Sequence, residues 1–223
     1  MFKACIFDLD GVIVDTAKYH YVAWRRIANS FKIDFTDQEN ENLKGVGRMD
    51  SLKYILSLGD IKLSVSEMSA LAAKKNKHYL ELLEKMGDKE ILPGVSEFLM
   101  ALKLNGVKIG LGSASRNAKK ILEKVNLTSY FDVIVDGNDT TKGKPDPQVF
   151  LMCSDALEVY PEEAVIFEDS KKGIYAAHRG GFAAVGIGNL SNLDHANYVM
   201  PDFSKFNVNK LGMLYTILNE KEI

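Results

Sequence analysis

The 223-residue chain has few cysteines, almost no net charge and no long apolar run, and each lack excludes a class of protein. Its two cysteines, Cys5 and Cys153, lie within apolar stretches, which is typical of buried thiols in a reduced compartment. A formal net charge of -2 gives no broad basic surface for nucleic acid. No apolar run approaches the roughly 20 residues of a membrane helix. We therefore expect a cytoplasmic protein with neither a nucleic-acid nor a membrane partner.

Five short runs rich in valine and isoleucine predict parallel strands that are buried on both faces. They cover residues 3–7, 107–111, 131–135, 164–167 and 183–187. A helical pattern comes before each of the last four strands. These patterns cover residues 95–104, 118–125, 148–157 and 172–179. This alternation predicts the α/β class, with a doubly wound parallel sheet that has helices on both faces.

A long segment between the first two predicted strands, residues 17–87, shows only helical patterns. These patterns cover residues 17–31, 38–43, 50–58 and 67–86. A crossover between parallel strands needs far fewer residues. We therefore predict a helical cap domain over residues 17–87, inserted into a core domain of residues 1–16 and 88–223. Its ends lie beside the carboxyl ends of the strands, where ligands bind in such sheets, so the insert can act as a lid.

Two carboxylates one residue apart, Asp8 and Asp10, follow the first predicted strand directly. Side chains two residues apart share a face of an extended backbone, so both can reach one site. Like charges at that distance repel and raise each other's pKa. A divalent cation or a transferred phosphoryl group would explain them, whereas the alternative is an ordinary acidic turn before Gly11.

Polar groups also follow the other predicted strands, and each group has a functional and a structural interpretation. The run from Ser113 to Asn117 suits an anion site or a simple helix cap. Lys144, on a loop stiffened by two prolines, suits a phosphate contact or a solvated turn. Glu168 and Asp169 suit Mg²⁺ or a helix cap. The sequence alone leaves these alternatives open.

The predicted insert adds a histidine and several basic residues. His20 lies in the first turn of the first insert helix, on one face with Trp24, which we expect in the core. Arg48 follows a basic loop with two glycines, and Lys75 belongs to a run of lysines. Such a run is more often a solvated helix face than a binding site.

The four polar strand ends together resemble the motifs of the haloacid dehalogenase superfamily of phosphotransferases. The stretch Asp8-Leu9-Asp10-Gly11-Val12 resembles its nucleophile loop, and Ser113, Lys144 and Glu168-Asp169 resemble its hydroxyl, lysine and acidic motifs. The helical insert after the first motif is similar to the helical-cap subclass. Within the superfamily, the insert residues resemble most the β-phosphoglucomutase group. Gly47 and Arg116 depart from that group, which has serine and lysine at these places.

The resemblance implies roles for individual residues. Asp8 would be the nucleophile and Asp10 the general acid and base. Mg²⁺ would be held by Asp8, the backbone carbonyl of Asp10 and Asp169, with Glu168 in support. The phosphate and sugar contacts implied by the resemblance are Thr16, His20, Trp24, Lys44, Gly45, Arg48, Ser51, Lys75, Ser113, Ala114, Ser115, Arg116, Asn117 and Lys144.

The implied reaction interconverts β-glucose 1-phosphate and glucose 6-phosphate through an aspartyl phosphate. Mg²⁺ and β-glucose 1,6-bisphosphate would be the cofactors, a small sugar phosphate the partner, and a monomer the working form. Two alternatives remain. In a sugar-phosphate phosphatase, water would replace the sugar hydroxyl as acceptor. In a signalling receiver, the aspartyl phosphate would be a switch, although the insert of about 70 residues is foreign to such small domains.

Overall fold

The computed structural model describes residues 1–219 and contains one six-stranded sheet whose strands are all parallel. In chain order, β1 to β6 are Ala4–Phe7, Lys108–Gly112, Val133–Val135, Ala164–Glu168, Ala183–Ile187 and Tyr198–Met200. Their order across the sheet is β3-β2-β1-β4-β5-β6. The predicted α/β class and parallel sheet are confirmed, and the five predicted strands are present with small shifts of their ends.

Nine α-helices lie in the described part of the chain. In chain order, α1 to α9 are Ala17–Ser30, Asp37–Glu41, Arg48–Ser57, Val65–Leu83, Val95–Leu104, Ala118–Lys124, Gln148–Ala156, Lys171–Arg179 and Val208–Asn219. β6 and α9 are not among the elements predicted from the sequence. β6 has only three residues and lies at the sheet edge, and α9 carries Gly212 in its interior, which weakens a helical pattern.

Strand register places the polar strand ends together. Phe7 at the end of β1 pairs with Leu111 of β2 and with Phe167 of β4. The backbone N–H of Asp8 then donates to the carbonyl of Phe167 at 2.9 Å. Because the strands are parallel and in step, the residues just after β1, β2 and β4 meet at one edge of the sheet.

Apolar side chains cover both faces of the sheet. On one face, four phenylalanines pack ring against ring between β1, β4, α5 and the segment before α9, namely Phe7, Phe98, Phe167 and Phe203. On the other face, Ile6 and Ile166 pack with α7 and α8. Burial on both faces explains why the strand sequences are almost continuously apolar.

Residues of α1, α3 and α4 and of the loops between them form a separate apolar cluster. Trp24 and Ile27 of α1 pack with Phe35 and with Leu52 and Ile55 of α3. Residues 17–87 are all described, and they contain helices and no strand. None of the described helices is both long and apolar enough to span a membrane.

Candidate active site

A buried lysine joins two carboxylates where β1 and β4 end. The Lys144 ammonium lies 2.6 Å from Asp8 Oδ1 and 3.0 Å from Glu168 Oε1. It also lies 4.6 Å from the centre of the Phe150 ring. All three charged side chains are almost entirely shielded from solvent. Lys144 is therefore part of the buried site, and its interpretation as a solvated turn lysine is wrong.

The charges within this cluster shift one another's proton affinity. Burial raises the pKa of Asp8 to about 7, assisted by Glu168 and Asp10 and opposed by Lys144. Burial lowers the pKa of Lys144, but Asp8 and Glu168 outweigh it and raise that pKa above its ordinary value. Two carboxylates with one ammonium leave the cluster with excess negative charge, which a cation would neutralise.

Asp169 adds a third carboxylate, and the group fits a hard cation. Oxygen atoms of Asp8, Glu168 and Asp169 all lie within 4.8 Å of one another. Burial and the neighbouring Glu168 raise the pKa of Asp169 well above its ordinary value. Such a set of carboxylate oxygens is what Mg²⁺ prefers. Asp10, which the sequence analysis placed there through its backbone, contributes no side-chain oxygen to this group.

Hydrogen bonds hold Glu168 rigidly. Its Oε2 accepts the backbone N–H groups of Asp169 and Ser170, and its Oε1 accepts the Ser170 hydroxyl at 3.0 Å. A Cβ atom at Gly173 would overlap the Glu168 carboxylate, so only glycine fits in the first turn of α8. Glu168 is thus oriented by its own loop and suits a supporting role beside Asp8 and Asp169.

The carboxylate of Asp10 faces the insert instead. It accepts a hydrogen bond from the Thr16 hydroxyl, and His20 Nε2 lies 3.7 Å from its Oδ1. Burial raises the pKa of Asp10, while Thr16 and the more distant Lys75 oppose that shift. A carboxyl group with a raised pKa can release and take up a proton nearer neutrality, as an acid–base catalyst must.

Lys75 lies beneath His20 in an aromatic box. Its ammonium lies 3.1 Å from His20 Nδ1, 4.6 Å from the centre of the Trp24 ring and 4.5 Å from that of Tyr79. Burial lowers the pKa of Lys75 to about 7, with Arg48 adding to the shift and Asp10 opposing it. The expectation of a solvated lysine run is therefore wrong for Lys75 because it faces the inside of α4, whereas Lys74 and Lys77 are exposed.

A second cationic group lies where α4 meets the loop after β2. Arg48 donates to Asn76 Oδ1 at 2.8 Å, and Asn117 donates to the same oxygen at 3.0 Å. Burial and then the nearby charge of Arg116 lower the pKa of Arg48. Two guanidinium groups whose charges repel each other suit a bound anion.

The loop before α3 closes over the acidic edge. Lys44 lies 3.5 Å from Asp169 Oδ2 and 2.9 Å from Glu41. A Cβ atom at Gly45 would come within 2.5 Å of the Ser170 hydroxyl, so the loop approaches α8 closely. The Ser51 hydroxyl instead points to the Val46 carbonyl at 3.4 Å, within the insert.

Ser113, Ala114 and Ser115 form the turn after β2. Ser113 is fully buried and its hydroxyl accepts the Ser115 N–H at 3.1 Å, which leaves the hydroxyl proton for another acceptor. The Ser115 hydroxyl in turn accepts the Asn117 N–H at 3.2 Å. Ala114 is half-buried between them.

Asn76 and Tyr79 have no predicted site role, but the structure places them in these two groups. Asn76 bridges Arg48 and Asn117, and the Tyr79 ring lies 4.3 Å from that of His20. Asparagine is a poor residue for a helix interior, and this was the available signal at position 76. Tyr79 follows Lys75 by four residues, so both share one face of α4.

Known proteins resemble this chain over most of its length. The haloacid dehalogenase-like hydrolase family matches residues 5–187. The β-phosphoglucomutase of Bacillus subtilis is 44% identical over 188 residues, 83% of each chain. The phosphorylated carbohydrates phosphatase of Thermotoga maritima is 34% identical over 186 residues, 82% of this chain and 83% of that protein.

A solved structure repeats the whole fold. The crystal structure of β-phosphoglucomutase from Clostridium difficile superposes with a TM-score of 0.95 at 39% identity, covering 99% of this chain and 100% of that one. The predicted resemblance is thereby confirmed at the level of fold and family. With its acidic sheet edge, this chain belongs to the haloacid dehalogenase superfamily and is a phosphotransferase or phosphatase of that superfamily.

Proposed function

We propose that the chain is a β-phosphoglucomutase that interconverts β-glucose 1-phosphate and glucose 6-phosphate through an aspartyl phosphate and β-glucose 1,6-bisphosphate. In this proposal, residues 17–87 form a cap over a core of residues 1–16 and 88–223. The relatives from Bacillus subtilis and Clostridium difficile, at 44% and 39% identity, support it.

One observation carries the proposal, namely that two groups of cationic side chains could each take a phosphate. Lys144 lies beside Asp8, where a phosphoryl group would be transferred. Arg48 and Arg116 would form the other place, where α4 meets the loop after β2. Asn76 accepts from Arg48 and from Asn117, which follows Arg116 in the chain. A bisphosphate that reverses its orientation needs two such places, whereas simple hydrolysis of a phosphate ester needs one.

The side chains divide the work as follows. The Asp8 carboxylate attacks phosphorus and forms an acyl phosphate, while the bond from phosphorus to the sugar oxygen breaks. Asp10 gives its proton to that departing oxygen, and in the reverse transfer it takes the proton of the attacking hydroxyl. The Thr16 hydroxyl donates to Asp10 and orients it, and Lys144 offsets the charge on the phosphoryl oxygens.

A divalent cation fits the acidic edge of the sheet, and members of this superfamily use Mg²⁺. Asp8 and Asp169 would hold it, with Glu168 in support and the Asp10 carbonyl as a further ligand. Bound there, the cation would supply positive charge to phosphoryl oxygens. We predict that chelation abolishes turnover and that added Mg²⁺ restores it. Asp169→Ala should lose Mg²⁺ binding in calorimetry, and full activity in excess chelator would contradict the proposal.

A sugar-phosphate phosphatase is the second candidate. The relative from Thermotoga maritima and the fructose-1-phosphate phosphatase YqaB of Escherichia coli, 31% identical, are both named phosphatases. Asp8, Lys144 and the acidic edge would serve either reaction, because water can replace a sugar hydroxyl as acceptor.

One assay separates the two candidates. The enzyme is given β-glucose 1-phosphate, Mg²⁺ and a trace of β-glucose 1,6-bisphosphate, and glucose 6-phosphate and inorganic phosphate are measured in the same sample. A mutase forms mainly glucose 6-phosphate, and its rate depends on the bisphosphate. Stoichiometric phosphate release without glucose 6-phosphate would establish the phosphatase instead.

A further inference from the structure

A buried carboxylate outside the acidic edge, Glu90, lies in the segment that joins α4 to α5. Its residue is 2% exposed. Its Oε1 accepts the Tyr19 hydroxyl at 2.9 Å and lies 3.3 Å from the Lys18 ammonium, and its Oε2 accepts the Gly87 N–H at 2.9 Å. None of the proposed reaction steps uses the Glu90 carboxylate, yet three hydrogen-bond donors contact it.

Glu90 lies where the two chain segments that enter and leave residues 17–87 run side by side. The Asp15 N–H donates to the Glu90 carbonyl at 2.8 Å, and the Leu92 N–H donates to the Ile13 carbonyl at 3.0 Å. Val14 and Ile91 pair between them as an antiparallel bridge. The backbone of Glu90 therefore joins the two segments, while its side chain reaches into α1.

The first turn of α1 needs such an anchor because its own cap is used elsewhere. Thr16 is the N-cap residue, but its side chain makes no capping hydrogen bond to the helix and donates to Asp10 instead. A helix start without a side-chain cap is less stable and frays more readily. Lys18 and Tyr19, which follow directly, are held by Glu90.

The charge of Glu90 is maintained in spite of its burial. Burial alone would raise the pKa of Glu90, but the Gly87 N–H, the Tyr19 hydroxyl and Lys18 together lower it below its ordinary value. Glu90 therefore stays ionised near neutrality and accepts all three contacts at once.

We propose that Glu90 is a positioning residue, which fixes the first turn of α1 so that the Thr16 hydroxyl holds Asp10 for proton transfer, with His20 beside it. Glu90 contacts Lys18 and Tyr19 in the first turn of α1. That turn carries Thr16, whose hydroxyl donates to Asp10, and His20, whose Nε2 lies 3.7 Å from Asp10 Oδ1. The inference rests on the role given to Asp10 under the proposed function.

The variant Glu90→Gln tests this with little change of shape. An amide has one acceptor oxygen, so it can serve either the Tyr19 side or the Gly87 N–H but not both. Glu163→Gln is the matched control. Glu163 ends a 3-10 helix, accepts the Tyr160 N–H at 3.1 Å and pairs with Lys3. Unlike Glu90, it lies at the start of β4, at the other end of the sheet.

Two readouts separate proton transfer from the rest of the reaction. One is kcat and KM for conversion of β-glucose 1-phosphate, in which the sugar oxygen needs a proton. The other is phosphorylation of Asp8 by acetyl phosphate, followed by intact mass. Acetate leaves as a weak base and needs no proton, so this second rate is independent of Asp10.

We expect Glu90→Gln to lower kcat about 10- to 100-fold, the effect of a displacement of about 1 Å at a reacting group, with little change in KM. Acetyl phosphate should phosphorylate Asp8 at nearly the rate of the unchanged protein. Glu163→Gln should alter neither readout. Equal losses in both readouts, or no loss of kcat, would overturn the proposal.

Tyr19→Phe keeps the inference testable if Glu90→Gln unfolds below the assay temperature. It removes a single hydroxyl and should lower kcat several-fold with acetyl phosphate unaffected, and an unchanged kcat would then overturn the proposal. Failure of the proposed function would be visible separately. The unchanged protein would then release phosphate without forming glucose 6-phosphate, and phosphate release would replace mutase turnover as the first readout.

Discussion

The acidic edge of the sheet and the insert of residues 17–87 carry opposite charges around the candidate site, and these charges have different partners. On the sheet side, Asp8 and Glu168 share the Lys144 ammonium, so these charged groups bond one another. On the side of the insert, Arg48 donates to the neutral Asn76 and Lys75 contacts the neutral His20. Burial lowers the pKa values of both cations.

This difference indicates what each side can do without a ligand. The sheet side is held by strand register and mutual hydrogen bonds, and it keeps its geometry by itself. Among the described residues, no carboxylate forms an ion pair with Arg48 or Lys75, and an anionic substrate would supply the opposite charge. Changes on the sheet side should therefore affect every phosphoryl donor, whereas changes in the insert should affect only donors that reach it.

The largest effect is expected at Asp8, on the sheet side. Asp8→Asn should lower turnover by at least about 10⁴-fold, because an amide is not a competent nucleophile. The loss should be equal for β-glucose 1-phosphate and acetyl phosphate, measured as product formed and as phosphoenzyme by intact mass. Appreciable turnover in a pure sample with either donor would remove Asp8 from this role.

Asp10 lies between the acidic edge and the insert, and its substitution should affect β-glucose 1-phosphate and acetyl phosphate differently. Asp10→Asn should lower conversion of β-glucose 1-phosphate by about 10²- to 10⁴-fold, the usual contribution of general acid–base catalysis. Acetyl phosphate should still phosphorylate Asp8, since acetate needs no proton. An unchanged kcat with the sugar phosphate would contradict proton transfer by Asp10.

A change at Arg48 should lower turnover only for phosphoryl donors that carry a second charged group distant from the reacting phosphate. Arg48→Ala removes a charge-assisted contact of roughly 1.5 to 3 kcal/mol, which is about a 10- to 150-fold loss of mutase turnover. Acetyl phosphate should be affected much less. Arg25→Ala, an exposed arginine on α1, is the matched control and should change neither rate. Equal losses with both donors would show that Arg48 acts on folding or on the sheet side.

The same contrast explains what the sequence could predict. The carboxyl ends of parallel strands must share one edge, so Asp8, Ser113 and Glu168 could be placed together from the strand pattern alone. Strand register then brings Asp8 to Glu168, as the pairing of Phe7 with Phe167 shows. The sheet side was thus predictable because local sequence and sheet geometry determine it.

The insert was less predictable because its contacts depend on how helices pack. Lys75 belongs to a lysine run, and only the angle of α4 against α1 decides that it is buried while Lys74 and Lys77 are exposed. The role of Asn76 depends equally on α4 meeting the loop of Asn117. Glu90 carries no motif at all, and its three donors become visible only when both linking segments are in place.

The smallest effect on the protein is expected at Glu84, where the end of α4 meets α6 away from the candidate active site. Glu84, just after α4, accepts from Lys120 at 2.9 Å and from Lys124 at 2.7 Å, both on α6. Hydrogen bonds from Lys124 and then Lys120 lower the pKa of Glu84 from 4.5 to about 2. Because the group is exposed, the ion pairs should contribute little to stability.

The sign of the pH dependence follows from the lowered pKa. The stabilisation by Glu84 should be complete well above pH 4.5 and should be lost as the pH falls toward about 2, where the folded protein also binds the proton. Glu84→Gln should lower Tm at neutral pH by less than about 4 °C, and the difference should shrink at acidic pH and in high salt. Glu81→Gln, an exposed glutamate one turn earlier on α4, should change Tm less. Neither variant should alter kcat, because neither residue belongs to the candidate active site. A fall in kcat with Glu84→Gln alone would show that the ion pairs with α6 set the position of the insert during turnover.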